Sequence, residues 1–399
     1  MRILLSNVGS TSLKYRLLEM DGESTLAMGR IERVGSERGI LSHQATGKPS
    51  VSRELPVPDY AAAVQLAIDL LCDPEVGAVD SLASVAAVGF KAVHGGPVTG
   101  SLRIDEGVLQ ALEEYAAIAP AHNPPYIQAI RIFQRLLPQT PLVAVFETSF
   151  HRTLPPRAFL YGVPYEWYEQ YGVRRYGFHG ASHRYVAERT AQLLGRPAAD
   201  LNVITCHLGG SSSLCAVQGG RSVDTSMGFS PQAGVSMSNR HGDIDAWIVP
   251  FMMERGGLTL AEVKQALGKR SGLAGISGLS GDVRDLEEAA AAGHERAALA
   301  LEVFAYEVRK CIGGYAAALG GLDALAFAGG IGERGVAMRR RICQGLGFLG
   351  IGLDPTRDEV RGEEAIISPD GARVTVLVVP TNEEIIVARE TVKVIGGKE

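Results

Sequence analysis

The sequence predicts an α/β protein built as two related halves. Three observations carry that expectation. Helix-period stretches alternate with short apolar strands along the chain, and a strand–turn–strand pattern near the N-terminus recurs about two hundred residues later. The length, 399 residues, is too great for one core and suits two ordinary domains. Hydrophobic residues make up 46% and charged residues 21%, the balance of a folded globular chain rather than a disordered one.

In the first half, apolar periodicity predicts a helix over 60–71, a strand over 85–93, a helix over 125–137 and a strand over 141–146. The second half predicts strands at 203–206, 324–328 and 374–379, and one long helix over 286–319. Forty-eight glycines cluster at the ends of β-branched runs, where turns bring backbone close to a ligand.

The formal net charge is -5, so no overall basic field draws in nucleic acid or anionic lipid, and a phosphate site must be local. No 18-residue apolar run predicts a membrane span, and Met1–Leu5 enters a strand-like stretch without the features of a secretory signal. Cys72, Cys206, Cys215, Cys311 and Cys343 form no CxxC pair and read as reduced core residues. The expectation is a cytoplasmic protein without nucleic-acid or membrane partners.

The repeat is the most informative feature. Residues 3–15 read Ile-Leu-Leu-Ser-Asn-Val-Gly-Ser-Thr-Ser-Leu-Lys-Tyr, and residues 203–214 read Val-Ile-Thr-Cys-His-Leu-Gly-Gly-Ser-Ser-Ser-Leu. Consecutive Gly, Ser and Thr in a tight turn present backbone N–H groups and hydroxyls together, a neutral cradle for phosphate oxygens. Lys14 adds a point charge to the first loop, and His207 stands at the mouth of the second. Either loop alone is an ordinary polar hairpin. As a pair at half-chain spacing they argue for equivalent loops around a phosphate chain.

A third glycine-rich turn, 327–335, follows a strand and opens an arginine-rich helix. Gly330, Gly332 and Gly335 satisfy G-x-G-x-x-G, and Asp354 lies 19 residues further on, so a dinucleotide-binding oxidoreductase is the rival reading. The late position of this loop, the two unexplained Gly/Ser/Thr loops and the lack of a hydride-transfer constellation count against it. Neither Gly47-Lys48-Pro49 nor Gly268-Lys269-Arg270 forms a Walker A loop, and no protein-kinase His-Arg-Asp loop occurs.

Taken together, Asn7-x-Gly-Ser-x-Ser-Leu-Lys14, Val93-His-Gly-Gly96, Ala119-Pro-x-His122-Asn-Pro-Pro125 and Arg175-Tyr-Gly-Phe-His179-Gly resemble the acetate kinase family in order and spacing. So do Val223-Asp-Thr-Ser-Met-Gly228, Gly275-Ile-Ser-Gly278, Asp282-Val-Arg284, Gly329-Gly-Ile-Gly-Glu333 and Pro380-Thr-Asn-Glu-Glu384. The resemblance implies a duplicated actin-like (ribonuclease H-like) fold with an interdomain nucleotide cleft. The first domain would be 1–150 plus 383–399. The second, 151–382, would hold adenosine and supply a homodimer interface. It implies reversible, ATP-dependent phosphorylation of a short-chain carboxylic acid, with ATP/ADP and Mg²⁺ (or Mn²⁺). Other readings are a propionate- or butyrate-preferring kinase of the same family and an actin-like ATPase switch. Retention of His122, His179 and Arg240 argues against the switch.

By the same resemblance, His207, Leu208, Gly209, Gly210 and Ser211 form the β/γ-phosphate loop, and Ser10, Ser12 and Lys14 the first phosphate loop. Asp282, Val283 and Arg284 contact the nucleoside, and Gly330, Ile331, Gly332, Glu333 and Arg334 form the adenosine loop. Asn7 and Glu383 stand at the metal-linked positions, while His179, Arg240 and His122 match active-site residues. Cationic donors suit this chemistry, because a transferring phosphoryl group spreads negative charge over its equatorial oxygens. Arg240 could instead pair with Asp243 or Asp245, and His179 could be a core histidine. His94 and His183 read as structural.

The sequence departs from the family pattern at several site positions. Lys91 stands for the carboxylate-gripping arginine, keeping the charge but losing the planar fork. Glu147 stands for the catalytic aspartate, and Gly210-Ser211 replaces Asn-Gly. Ala121 replaces an acyl-pocket leucine beside Val93, Phe178 and Pro231, so the expected preference extends to acids larger than acetate. Lys91 and Glu147 could also form a compensated pair.

Overall fold

A computed structural model describes residues 1–9, 11–119 and 122–397. The chain divides into two units, one of Met1–Ser149 with Asn382–Glu399 and the other of Phe150–Thr381.

The first unit holds an eight-stranded sheet of β1 (Arg2–Val8), β2 (Ser12–Glu19), β3 (Ser24–Glu32), β4 (Ser36–Ala45), β5 (Val51–Val57), β6 (Val85–Ala92), β7 (Ser101–Arg103) and β8 (Leu142–Phe146). Its spatial order is β5-β4-β3-β2-β1-β6-β8-β7. The parallel strands β1, β6 and β8 are nearly continuous runs of apolar residues because both faces are covered. The antiparallel β4 instead alternates buried and solvated positions at Leu41, Ser42, His43, Gln44 and Ala45. The helix Tyr60–Leu71 starts where the Asp59 carboxylate accepts from the Ala62 amide, and it buries Tyr60, Ala63, Val64, Ala67, Leu70 and Leu71. The C-terminal helix Glu383–Ile395 returns to this unit and buries Ile385, Ile386, Val387 and Ala388 against β1 and β6.

The second unit holds β9 (Asn202–Leu208), β10 (Ser212–Gln218), β11 (Arg221–Thr225), β12 (Ala324–Ala328), β13 (Ala365–Ile366) and β14 (Thr375–Val378), in the order β11-β10-β9-β12-β14-β13. This repeats the run β3-β2-β1-β6-β8-β7 of the first unit strand for strand. In both, a hairpin leads into two parallel strands and ends on an antiparallel edge. The doubled topology is the actin-like kinase fold, with β4 and β5 added to the first copy.

One expected element is corrected. The predicted single helix over 286–319 is two, Val283–Ala291 and Glu295–Leu319. Gly293 adopts φ +91°, outside the helical region, and His294 Nδ1 accepts from the Ala297 amide to begin the second helix. The predicted strand 203–206 extends to Asn202–Leu208, which carries His207 into the hairpin.

Candidate active site

In the second unit the β9–β10 hairpin turns through Gly209, Gly210 and Ser211, since Leu208 pairs directly with Ser212. The Ser212 hydroxyl closes the turn, donating to the Gly209 carbonyl (3.0 Å) and accepting from its amide (3.2 Å). β12 runs parallel beside β9 and ends on Gly329, whose φ is +72°. A Cβ at Gly329 would lie 2.6 Å from the Leu208 carbonyl oxygen, so only glycine lets the two turns meet. From the other side, the Ser238 amide donates to the Gly210 carbonyl (3.2 Å). A Cβ on Gly281 would come within 2.6 Å of the Ser238 carbonyl, which places 282–284 against the same group.

Arg240 completes this cluster. Its Nη1 donates to Ser211 Oγ (3.2 Å) and to the Pro231 carbonyl (3.0 Å). The expected alternative, a pairing with Asp243 or Asp245, is not what forms. Asp243 accepts from the Gly234 amide and Asp245 from the Trp247 amide. Burial pushes the Arg240 pKa down, and among the described residues no carboxylate stands within ion-pair distance of it. A partly desolvated guanidinium held by neutral groups beside a glycine turn is complementary to an anion.

The other expected nucleotide residues take two kinds of place. Asp282 caps the Val283–Ala291 helix and binds the exposed Arg284 side chain at 2.6 Å, which holds its carboxyl below the usual range. Glu333 Oε1 accepts from the Gly329 and Thr381 amides (2.9 and 3.1 Å), so this side chain braces the turn that contains Gly330, Ile331, Gly332 and Arg334. Beneath that turn the fully buried Arg339 donates to the Gly332 and Glu333 carbonyls and pairs with Asp358 at 2.8 Å.

His179 precedes the helix Gly180–Leu193 with φ +56°, a left-handed conformation that costs a non-glycine residue free energy and gathers at functional positions. Its Nδ1 lies 2.7 Å from Ser213 Oγ, and its ring stacks on His207 with centroids 4.2 Å apart. His207 Nδ1 in turn lies 2.7 Å from Ser182 Oγ. Phe178, which precedes His179, and Pro231 are both buried, and the Phe178 carbonyl accepts from His151 Nε2.

In the first unit, Asn7 and Lys14 face each other across β1 and β2, and one small pocket is lined by both together with Lys91, Glu383 and Glu384. Lys91 Nζ lies 2.9 Å from Glu147 Oε1 and 2.6 Å from Glu383 Oε2. The compensated Lys91–Glu147 pair is therefore formed, with Glu383 as a third member. Burial opposes the ammonium, but the charges of Glu147 and Glu383 outweigh it and raise the Lys91 pKa well above its usual value. Asn7 Oδ1 accepts from the Tyr126 hydroxyl at 2.9 Å, a phenol that burial pushes up to about 12. Among the described residues, buried Glu147 Oε2 has no hydrogen-bond partner.

Val93 is buried, and His122 immediately precedes the helix Asn123–Leu136, whose first residue ties its side-chain amide to the His94 carbonyl at 2.7 Å. His94 Nδ1 accepts from the Gly96 amide at 3.0 Å. Ser12 opens β2, while Ser10 and Ala121 lie outside the described residues. Sequence reasoning missed Ser213, Ser182 and Arg339. Only the Ser-rich start of β10 could have drawn attention to the first of them.

Two copies of one sheet topology, with a glycine–hydroxyl hairpin, a free-standing arginine and a histidine gathered in the second, define a phosphotransferase of the actin-like kinase class. The Acetokinase family model matches residues 2–389. Similar proteins include acetate kinases of Caldanaerobacter subterraneus subsp. tengcongensis (49% identical, covering all of both chains) and Methanosarcina thermophila (47%, covering 99% of this chain and 97% of the relative). Among solved structures, Porphyromonas gingivalis acetate kinase superposes with TM-score 0.91 at 38% identity over 99% of each chain. A propionate kinase from Francisella tularensis subsp. tularensis SCHU S4 gives 0.90 at 35% over 98% of each. The chain belongs to the acetokinase family, whose phosphoryl acceptor is a carboxyl group. Membership also removes the oxidoreductase reading of the 330–335 glycines.

Proposed function

We propose that the protein transfers the terminal phosphoryl group of ATP to the carboxylate of a short-chain acid, with acetate the first candidate, and catalyses the reverse reaction. The observation that carries this is Arg240, a cation that among the described residues meets only the neutral Ser211 hydroxyl, Pro231 carbonyl and Met237 thioether beside the Gly209–Ser211 turn. The acid oxygen bonds to the γ-phosphorus, the bond to the β,γ-bridging oxygen breaks, and ADP leaves. A carboxylate is already ionised at neutral pH, so no base is required. Bringing two anions together is the harder part, and the Arg240 guanidinium offsets their repulsion while His179 contributes a hydrogen-bond donor.

In this reading His207–Ser211, Ser12 and Lys14 hold phosphate oxygens, while Asp282–Arg284 and the 330–334 turn receive the nucleoside. Lys91 attracts the acid, Glu147 orients Lys91, and Val93, Phe178 and Pro231 supply apolar wall for its tail. His122 stands among the acid-binding groups.

Mg²⁺ fits the first unit's donors, which are oxygens of Asn7 and Glu383 near the unpartnered Oε2 of Glu147. Mg²⁺ commonly takes one or two protein carboxylates and leaves its other positions to substrate phosphates and water. When bound, it supplies neutralisation of phosphate charge, and Mn²⁺ would serve in the same way. No helix among the described residues is long and apolar enough to cross a membrane; a cytoplasmic location is part of the proposal. Trp247 (78% exposed), Phe251 (60%) and Ile248 form an apolar helix surface suited to a homodimer.

The test is a purified-enzyme assay with ATP, Mg²⁺ and a panel of short acids, trapping acyl phosphate as hydroxamate. Acyl phosphate from at least one acid is expected. ATP hydrolysis without it would leave only the nucleotide-switch reading.

A further inference from the structure

The second unit contains a chain of hydrogen bonds that links buried Thr205, His183 and Ser213 to His179. His179 Nδ1 lies 2.7 Å from Ser213 Oγ, Ser213 Oγ lies 2.8 Å from His183 Nε2, and His183 Nδ1 lies 2.8 Å from Thr205 Oγ1. The chain follows from local geometry. His179 stands at the N-cap of the helix that carries His183, and the His183 amide donates to the His179 carbonyl to open its first turn. Ser213 pairs with His207 across β10 and β9, and Thr205 lies two residues from His207, so all three side chains share one sheet face. His183, Ser213 and Thr205 are fully buried.

Ser213 has one hydroxyl proton but bridges two ring nitrogens. It donates to one and accepts from the other, so the tautomers of His179 and His183 are coupled. If Ser213 donates to His183, His179 must carry its proton on Nδ1, and neutral His179 then has a bare Nε2 that repels phosphate oxygen. If His183 Nε2–H donates to Ser213, Ser213 donates to His179 Nδ1, and Nε2–H of His179 becomes the donor. The Thr205 hydroxyl completes that second arrangement by donating to His183 Nδ1.

We propose that Ser213 and His183 are positioning residues that fix His179 as the Nε2–H tautomer, which presents a hydrogen-bond donor to the transferring phosphoryl group. The coupling of the two tautomers follows from the hydrogen-bond geometry, while the choice of the Nε2–H state rests on the proposed function. A relay of this kind needs a neutral central imidazole, and burial pushes the His183 pKa well below 6.5.

Histidine-selective ¹⁵N labelling of the full-length enzyme and long-range ¹H–¹⁵N correlation at pH 8, without substrate, read the tautomer directly. The His179 signals are assigned with His179→Gln. The wild type is expected to show protonated Nε2 and unprotonated Nδ1 at His179. Ser213→Ala should give a mixture and lower kcat by about 10- to 100-fold, with KM for ATP and acid little changed. His183→Gln keeps a donor near the Nε2 position and should retain both the tautomer and most of kcat, whereas His183→Leu should lose both. If Ser213→Ala does not fold, the His183→Gln and His183→Leu comparison decides alone. An Nδ1–H tautomer in the wild type overturns the proposal, as does folded Ser213→Ala with unchanged spectrum and kcat. Absence of acyl phosphate from every acid, with the tautomer effects intact, would count against the proposed function instead.

Discussion

Replacing Lys91 with methionine removes an ammonium that two carboxylates share at 2.9 and 2.6 Å. Glu147 is 5% exposed and one of its oxygens already lacks a partner, so the variant leaves a desolvated carboxylate with no compensating charge. Breaking a buried pair in this way costs about 3–5 kcal/mol. The Lys91 and Glu383 side chains keep 20% and 18% of their exposure, which places the expected loss near the lower end, about 3 kcal/mol. Adding Glu147→Gln removes the stranded charge and should restore most of that loss. Urea unfolding of wild type, both single variants and the double variant measures the coupling, expected at about 2 kcal/mol or more. Single effects that add within about 0.5 kcal/mol would refute the idea that Lys91 neutralises Glu147.

Lys91→Arg is expected to raise kcat/KM for acetate by restoring a two-point grip; no gain would mean the Glu147 and Glu383 contacts have adapted to lysine. A comparison of acetate, propionate and butyrate should show up to about fourfold per added CH₂ if the alanine at 121 enlarges the acyl pocket, and strict acetate preference would refute that. Arg339→Met breaks a fully buried pair with Asp358 under the 330–334 turn and should cost about 3–5 kcal/mol in denaturant unfolding, while raising KM for ATP but not for the acid. Burial pushes His151 down to about 4, whereas the unfolded chain titrates near 6.5. The associated stability is therefore fully present above pH 6.5 and is lost as pH falls through 4, about 3 kcal/mol in all. His151→Gln should flatten that part of the stability–pH curve.

The apolar runs revealed most of the sheet, because strands such as 324–328 and 142–146 are buried on both faces and carry no polar interruption. The helix Tyr60–Leu71 was legible to the residue, since Asp59 and the apolar period mark its bounds. The break at Gly293 was not, because alanines on its N-terminal side and Ala297–Ala298 beyond it keep the composition helical while only the backbone angle changes. β4 and β5 were also missed, as one solvated face dilutes their apolar signal. Motif order located the glycine turns. It could not show that Lys91 meets a residue 292 positions away, or that Ser213 joins two histidines. Those contacts depend on strand register and on where the last helix returns.

The hairpin of β4 and β5 widens only the first sheet, and that makes β5 an outer rim. Val51–Val57 carries exposed Arg53, Glu54 and Pro56, and its pairing with β4 is irregular between Ser36 and Gly39. A proline offers no amide to an incoming strand, and charges there raise the cost of docking a foreign chain. The rim thus disfavours edge-to-edge fibre growth, and Pro56→Val is the substitution that would open it.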